Sequence, residues 1–147
     1  MNTEMNDKMI LIREPEEPAP AGQTLFDVIG GEARVRELVD RFYDLMDLDT
    51  DLADLRAAHG PSLDQAREKL FWFLCGWMGG PDYYIRRFGH PRLRARHLPF
   101  SIGTTERDQW VVCMGRAMQQ VGVEPALADK LLASFYNTAD WMRNRQE

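Results

Sequence analysis

The residues best suited to metal chemistry in this sequence are three histidines, His59, His90 and His97, and two cysteines, Cys75 and Cys113. The cysteines lie far apart in apolar stretches without a C-x-x-C spacing, and we interpret both as reduced core residues. The histidines show no H-x-x-x-H spacing and no acid lies near His97, so the pattern does not indicate a zinc site. His90 stands between a glycine and a proline and is expected in an exposed turn.

His97 occurs in a basic and apolar setting. No acid occurs from Tyr83 to Thr105, and five arginines fall within eleven residues of that stretch: Arg86, Arg87, Arg92, Arg94 and Arg96. One imidazole beside guanidiniums and apolar residues suits a large, flat ligand with carboxylates at one edge. Haem fits that description, since one protein nitrogen can ligate its iron and arginines can pair with its propionates. The spacing alone also allows a helix-terminal histidine in a solvated basic strip.

Two aromatic residues with polar groups fall on predicted inner helix faces. Tyr43 lies on the apolar face of one helix, and Trp110 begins the inner face of another. A buried hydroxyl or indole N–H needs a hydrogen-bond partner, so both side chains could act on a ligand bound near His97. Aromatic residues at helical spacing are also common in plain cores.

Apolar periodicity predicts the helices that must position these residues. Thr24 with Asp27 indicates a capped short helix, which Gly30 and Gly31 end. An amphipathic helix follows, with apolar positions at i, i+3, i+4, i+7, i+8 and i+11: Val35, Leu38, Val39, Phe42, Tyr43 and Met46.

The later helices are predicted from capping and breaking residues. Ser62 with Gln65 indicates a capping box that opens a helix over roughly 63–78. Only short helical pieces are expected around 83–88 and 92–97. Two further helices begin near Thr105 and Pro125, and the fold class predicted is all-α.

Composition limits the remaining possibilities. The 147 residues suit one domain, with 44% hydrophobic residues and a net charge of −5. Residues 1–22 are acidic and proline-rich, and we expect a flexible extension there. The apolar runs are too short for a membrane span or a secretory signal, so the prediction is a cytoplasmic protein without a membrane or nucleic-acid partner.

The chain resembles the group II truncated haemoglobins from about Thr24 to Arg145. The resemblance rests on TLFDVIGGEARVRELVDRFYDLM, REKLFWFLCGWMGGPDYY and FGHPRLRARHLPFSIGTTERDQW. It implies a truncated globin domain over residues 23–147, folded as a two-over-two helical sandwich around haem b.

The resemblance also implies roles for individual residues. His97 matches the proximal iron ligand, while Tyr43 and Trp110 match distal residues. His59 aligns approximately with a further distal position, where the family often has Phe or Tyr. The implied pocket consists of Phe42, Ala66, Leu70, Phe73, Leu74, Phe100 and Met114. From helical spacing, Arg94 lies one turn before His97 and could meet a haem propionate along with Arg92 or Arg96, a choice that the sequence leaves open, and Tyr84 is a further candidate of lower rank.

Three functions follow as expectations. The favoured one is a globin that binds oxygen tightly and releases it slowly, and that also binds nitric oxide and carbon monoxide. The second is a haem enzyme, a nitric oxide dioxygenase or a peroxidase, supplied by an unknown external electron donor. The third is a non-haem helical interaction module. His59 or Tyr43 could also ligate the resting iron, and the chain is expected to be a monomer or a homodimer.

Overall fold

The computed structural model describes residues 23–98, 100 and 102–144, so the predicted extension of residues 1–22 lies outside the described residues. The described part is helical without a strand, which confirms the predicted all-α class. Its helices are α1 Leu25–Ile29, α2 Gly31–Leu48, α3 Ala53–Ala57, α4 Asp64–Trp77, α5 Tyr83–Phe88, α6 Leu93–His97, α7 Thr104–Gln120 and α8 Pro125–Trp141, with a 3₁₀ turn at Thr50–Leu52 between α2 and α3.

Two helix pairs form the body of the fold. Helix α2 packs against α4, α7 packs against α8, and α2 also packs against α7, which joins the pairs. This is the two-over-two sandwich that was predicted. The predicted face of α2 is buried at all six positions. Met114 from α7 and Leu131 from α8 complete the same core, so helix burial supplies the framework that carries the site.

The short helix α1 is fixed at both ends as the sequence predicts. Thr24 and Asp27 form the reciprocal capping box, and Gly30 ends the helix at a positive φ of 123°. The backbone N–H of Phe26 donates to the carbonyl of Met78 at 2.9 Å. A Cβ at Gly80 would lie 2.6 Å from the Phe26 ring, so this close approach requires a glycine.

The capping box predicted at Ser62 and Gln65 was wrong. Helix α4 begins at Asp64 with Leu63 at the N-cap position and no side-chain cap. The Ser62 hydroxyl instead accepts from the Asp64 N–H at 3.2 Å. Leu63 is buried in the core, so tertiary packing holds the residue at the N-cap position in place of a side-chain cap.

Helix α3 was not anticipated, because five residues are too short to show an apolar period. Helix α3 is held by a contact from α7, in which the Gln109 Oε1 atom accepts a hydrogen bond from the Leu55 N–H at 2.8 Å. The other short helices, α5 and α6, were predicted and are confirmed. None of the helices in the described ranges is both long and apolar enough to cross a lipid bilayer.

Candidate functional site

An aromatic cluster forms one side of the candidate site. Helix α2 places Phe42 and Tyr43 side by side, with ring centroids 4.9 Å apart. Trp110 approaches from α7, with its ring centroid 5.1 Å from that of Phe42. The ring of Phe135 of α8 packs against Trp110, with ring centroids 5.5 Å apart. The core packing of three long helices therefore fixes the positions of these rings.

The Tyr43 hydroxyl is buried without a hydrogen-bond partner among the described residues. Its side chain is only 5% exposed, and burial is the main cause that raises its pKa, so the hydroxyl stays protonated and can donate. The indole N–H of Trp110 likewise finds no acceptor in the described part of the chain. Because Trp110 is only partly buried, the cost of an unpaired buried donor falls mainly on Tyr43, and a bound ligand that accepts from its hydroxyl would remove that cost.

His59 joins this cluster from the bend after α3. Its ring lies edge-on to Tyr43, with centroids 6.0 Å apart, and its Nδ1 atom lies 3.0 Å from the carbonyl oxygen of Leu55. Burial is the largest cause that lowers its pKa, and the charges of Arg56 and His97 lower it further. The lowered pKa favours the neutral form of the His59 imidazole.

Arg56 holds the bend that carries His59. Its guanidinium donates to the carbonyls of Gly60 at 2.8 Å and Pro61 at 2.9 Å. It also pairs with the Asp47 carboxylate at 2.9 Å, which ties the bend back to α2. One side chain thus satisfies the carbonyls of a turn that lacks regular backbone pairing.

His97 ends α6 and is oriented by its own helix. Its Nδ1 atom lies 2.7 Å from the carbonyl oxygen of Leu93, one turn earlier, so Nδ1–H donates there and Nε2 keeps its lone pair. Burial lowers the pKa of the imidazole, which favours the neutral, metal-binding form. Haem iron in globin-type sites is ligated by a neutral imidazole that has one free nitrogen and a fixed ring. His97 has these features, so it fits a haem group.

Apolar side chains around His97 lie unusually open to solvent. Phe88 is 39% exposed, Leu98 52% and Phe100 47%. The Phe100 ring lies 6.4 Å from the His97 ring. A flat apolar ligand at this place would cover such surface. The other residues predicted for the pocket lie deeper. Ala66, Leu70 and Phe73 are half-buried against the core, and Leu74 and Met114 are fully buried.

The arginines predicted to bind propionates already have partners in two cases. Arg94 donates to the carbonyls of Trp141 at 3.1 Å and Arg143 at 3.3 Å. Arg96 donates to the Pro91 carbonyl at 2.7 Å, and its guanidinium lies 5.7 Å from the ring centroid of buried Tyr84. Arg92 is exposed and has a positive φ of 47°. The propionate roles stay predictions.

Two polar residues beside the site, Arg67 and Asn144, were not among the residues predicted for it. Arg67 of α4 lies 5.9 Å over the Tyr43 ring and pairs with Asp44 at 2.7 Å. Asn144 follows α8, and its side-chain amide donates to the Phe100 carbonyl at 2.7 Å. Neither has a local signal, because their partners lie far away in sequence.

A two-over-two helical sandwich that carries an oriented imidazole at the end of α6 and an aromatic cluster with a buried tyrosine hydroxyl is typical of a truncated globin. The family model described as "Bacterial-like globin" matches residues 24–144. The chain belongs to this family.

Individual relatives agree with that assignment. The chain is 37% identical over 117 residues to the group 2 truncated hemoglobin YjbI of Bacillus subtilis, covering 80% of this chain and 86% of the relative. The group II 2-on-2 hemoglobin of Agrobacterium tumefaciens superposes with a TM-score of 0.83 at 38% identity, over 87% of this chain and 99% of that one. A structure described as a truncated oxygen-avid haemoglobin from Bacillus subtilis superposes with a TM-score of 0.75 at 35% identity, over 83% and 100% of the two chains.

Proposed function

We propose that the chain holds haem b through His97 and binds oxygen and other diatomic ligands with slow release of oxygen. The observation that carries this proposal is the buried Tyr43 hydroxyl, which has no partner among the described residues. The similarity to a haemoglobin described as oxygen-avid supports it as well.

The haem, when bound, supplies a ferrous iron that takes a diatomic ligand. The chain would supply the rest: Nε2 of His97 would hold the iron, and the O–H of Tyr43 and the N–H of Trp110 would donate hydrogen bonds to the ligand. Each such bond contributes about 0.5–1.5 kcal/mol net. Two of them would slow the release of oxygen by tens of fold, at about 1.4 kcal/mol per tenfold change.

The first test is the absorption spectrum of the purified protein with haemin added. We expect a strong Soret band that shifts on reduction and with carbon monoxide. His97→Ala should lose or alter the band, because this variant removes the imidazole that is proposed to hold the iron. His90→Ala is the matched control, since His90 is exposed in a turn. A His97→Ala spectrum identical to that of the wild type would contradict the proposed ligand.

The second test is the oxygen dissociation rate measured by stopped flow. Tyr43→Phe and Trp110→Phe should each accelerate release by about two- to tenfold, since each removes one donor. Tyr136→Phe, which alters an exposed tyrosine of α8, serves as the control. Unchanged rates in both distal variants would argue against slow release by hydrogen bonding.

Among the enzyme alternatives, the geometry at His97 disfavours a peroxidase. Peroxidase-type sites benefit from a carboxylate that polarises the proximal histidine. Here the Nδ1 atom of His97 pairs with the Leu93 backbone carbonyl instead. Turnover with nitric oxide in the presence of oxygen and a reductant would distinguish a dioxygenase from a reversible binder.

A further inference from the structure

The residues after α8 are joined to the segment that carries His97 by a dense set of hydrogen bonds. Asn144 makes four of them. Its side-chain nitrogen donates to the carbonyls of Phe100 at 2.7 Å and His97 at 3.3 Å. Its side-chain oxygen accepts from the Ile102 N–H at 2.9 Å, and its own N–H donates to the Ile102 carbonyl at 2.8 Å.

Arg94 adds a second connection between the same two regions. It reaches from α6 to the carbonyls of Trp141 and Arg143, at the end of α8. A cation at a helix C-terminus is favoured, because the last carbonyls lack helical partners. The role is different from the propionate contact predicted for this residue.

The segment needs such anchoring because it has little packing of its own. Helix α6 has five residues and buries none of them. A helix that short is unstable without tertiary support. The described residues around it, Leu98 and Phe100, are about half exposed. Hydrogen bonds from outside therefore decide where the backbone of His97 lies.

We propose that Asn144 is a positioning residue for the proximal histidine: it latches the carbonyls of His97 and Phe100 and the amide of Ile102 to the end of α8, and so fixes the ligand nitrogen. The inference rests on the proposed haem ligation by His97. Asn144 does not touch the ligand site; it acts through the backbone of the segment.

The test compares the full-length wild type with Asn144→Ala and Asn144→Asp. The first variant removes all three side-chain hydrogen bonds. The second keeps an acceptor for Ile102 but places a carboxylate against two carbonyl oxygens. Asn137→Ala, an exposed asparagine two turns earlier on α8, is the matched control.

Haem loss to an excess of an apo-globin acceptor should accelerate at least about tenfold in Asn144→Ala, because this variant loses all three side-chain hydrogen bonds of Asn144. Asn144→Asp should lose haem at least as fast. The iron–histidine stretching band of the ferrous, ligand-free protein should shift or broaden in both variants and stay unchanged in Asn137→Ala. If Asn144→Ala lowers only the melting temperature, with haem loss and the band as in the wild type, the positioning role is overturned.

If the wild type binds no haem, the proposed function fails. The hydrogen bonds of Asn144 are then tested by a separate measurement. In the apo-protein, Asn144→Ala should lose the hydrogen-exchange protection of the Ile102 amide, while Asn137→Ala keeps it. Unchanged protection would overturn the latch independently of any cofactor.

Discussion

The two sides of the candidate site are held in place by different physical means. On the distal side, Phe42, Tyr43 and Trp110 belong to long helices, and burial in the core fixes them. The proximal segment, defined as residues 88–98 with Phe100 and Ile102, is largely exposed. It depends on hydrogen bonds from Arg94, Arg96 and Asn144 to backbone carbonyls. The contrast shows that one candidate site can combine rings fixed by core packing with an exposed segment held by individual hydrogen bonds.

The largest expected effect contrasts one phenylalanine from each side. Phe42→Ala should destabilise the apo-protein by about 3–5 kcal/mol, because it empties a fully buried ring position. Phe100→Ala should cost less than about 1 kcal/mol, since that ring is 47% exposed. Urea unfolding followed by circular dichroism measures both. Equal losses of unfolding free energy in the two variants would show that the two sides are not held by different means.

Thiol reactivity sharpens the same comparison. Burial raises the pKa of Cys75 to about 11 and that of Cys113 to about 12, so both thiols should react slowly with iodoacetamide at pH 7.5. A reporter introduced by Leu98→Cys in the proximal segment should react at least about tenfold faster, from its larger thiolate fraction and exposure. Mass spectrometry of the labelled peptides gives the rates. Rapid labelling of Cys113 in the native protein would mean that the distal side opens.

The smallest effect concerns acid stability at the end of α8. Hydrogen bonding to Arg107 is the main cause that lowers the pKa of Asp140, with Arg143 adding to it. Because this carboxyl titrates lower in the folded state, its stabilising contribution is present above the unfolded pKa of about 3.9 and is lost as the pH falls through the lower folded value.

Asp140→Asn should therefore lower the melting temperature slightly at neutral pH and flatten its decline below about pH 4. Asp129→Asn changes an exposed carboxylate on the same helix, with no ion pair found for it in the described ranges, and is the control. If the melting temperatures of Asp140→Asn and the wild type fall in parallel below about pH 4, the Asp140–Arg107 pair does not contribute to acid stability.

Sequence reasoning was most successful where burial repeats with a helical period. The spacing of Val35, Leu38 and Phe42 was enough to place Tyr43 on the inner face of α2, and the structure buries it there. The Ser62 capping signature failed because the Ser62 hydroxyl pairs with the Asp64 N–H, while Leu63, which is buried in the core, takes the N-cap position. The roles proposed for the site residues remain predictions.

Long-range polar contacts could not be predicted from the sequence. Asn144 binds backbone groups 42 to 47 residues earlier in the chain, and Gln109 docks α3 across 54 residues. A single side chain that pairs with a distant backbone group produces no periodic pattern in the sequence. Its partner is known only once the fold has brought the two together.

The position of Asn144 in the chain also sets an order of events during synthesis. Tyr43, His59 and Trp110 have all been added by residue 110, whereas the latch on the proximal segment waits for residue 144. At about 5–20 residues per second, the ribosome needs about 2 to 7 s more to reach it. During that interval a nascent chain carries His97 on a segment that lacks the hydrogen bonds of Asn144, so this segment is expected to reach its final position only after α8 has been translated.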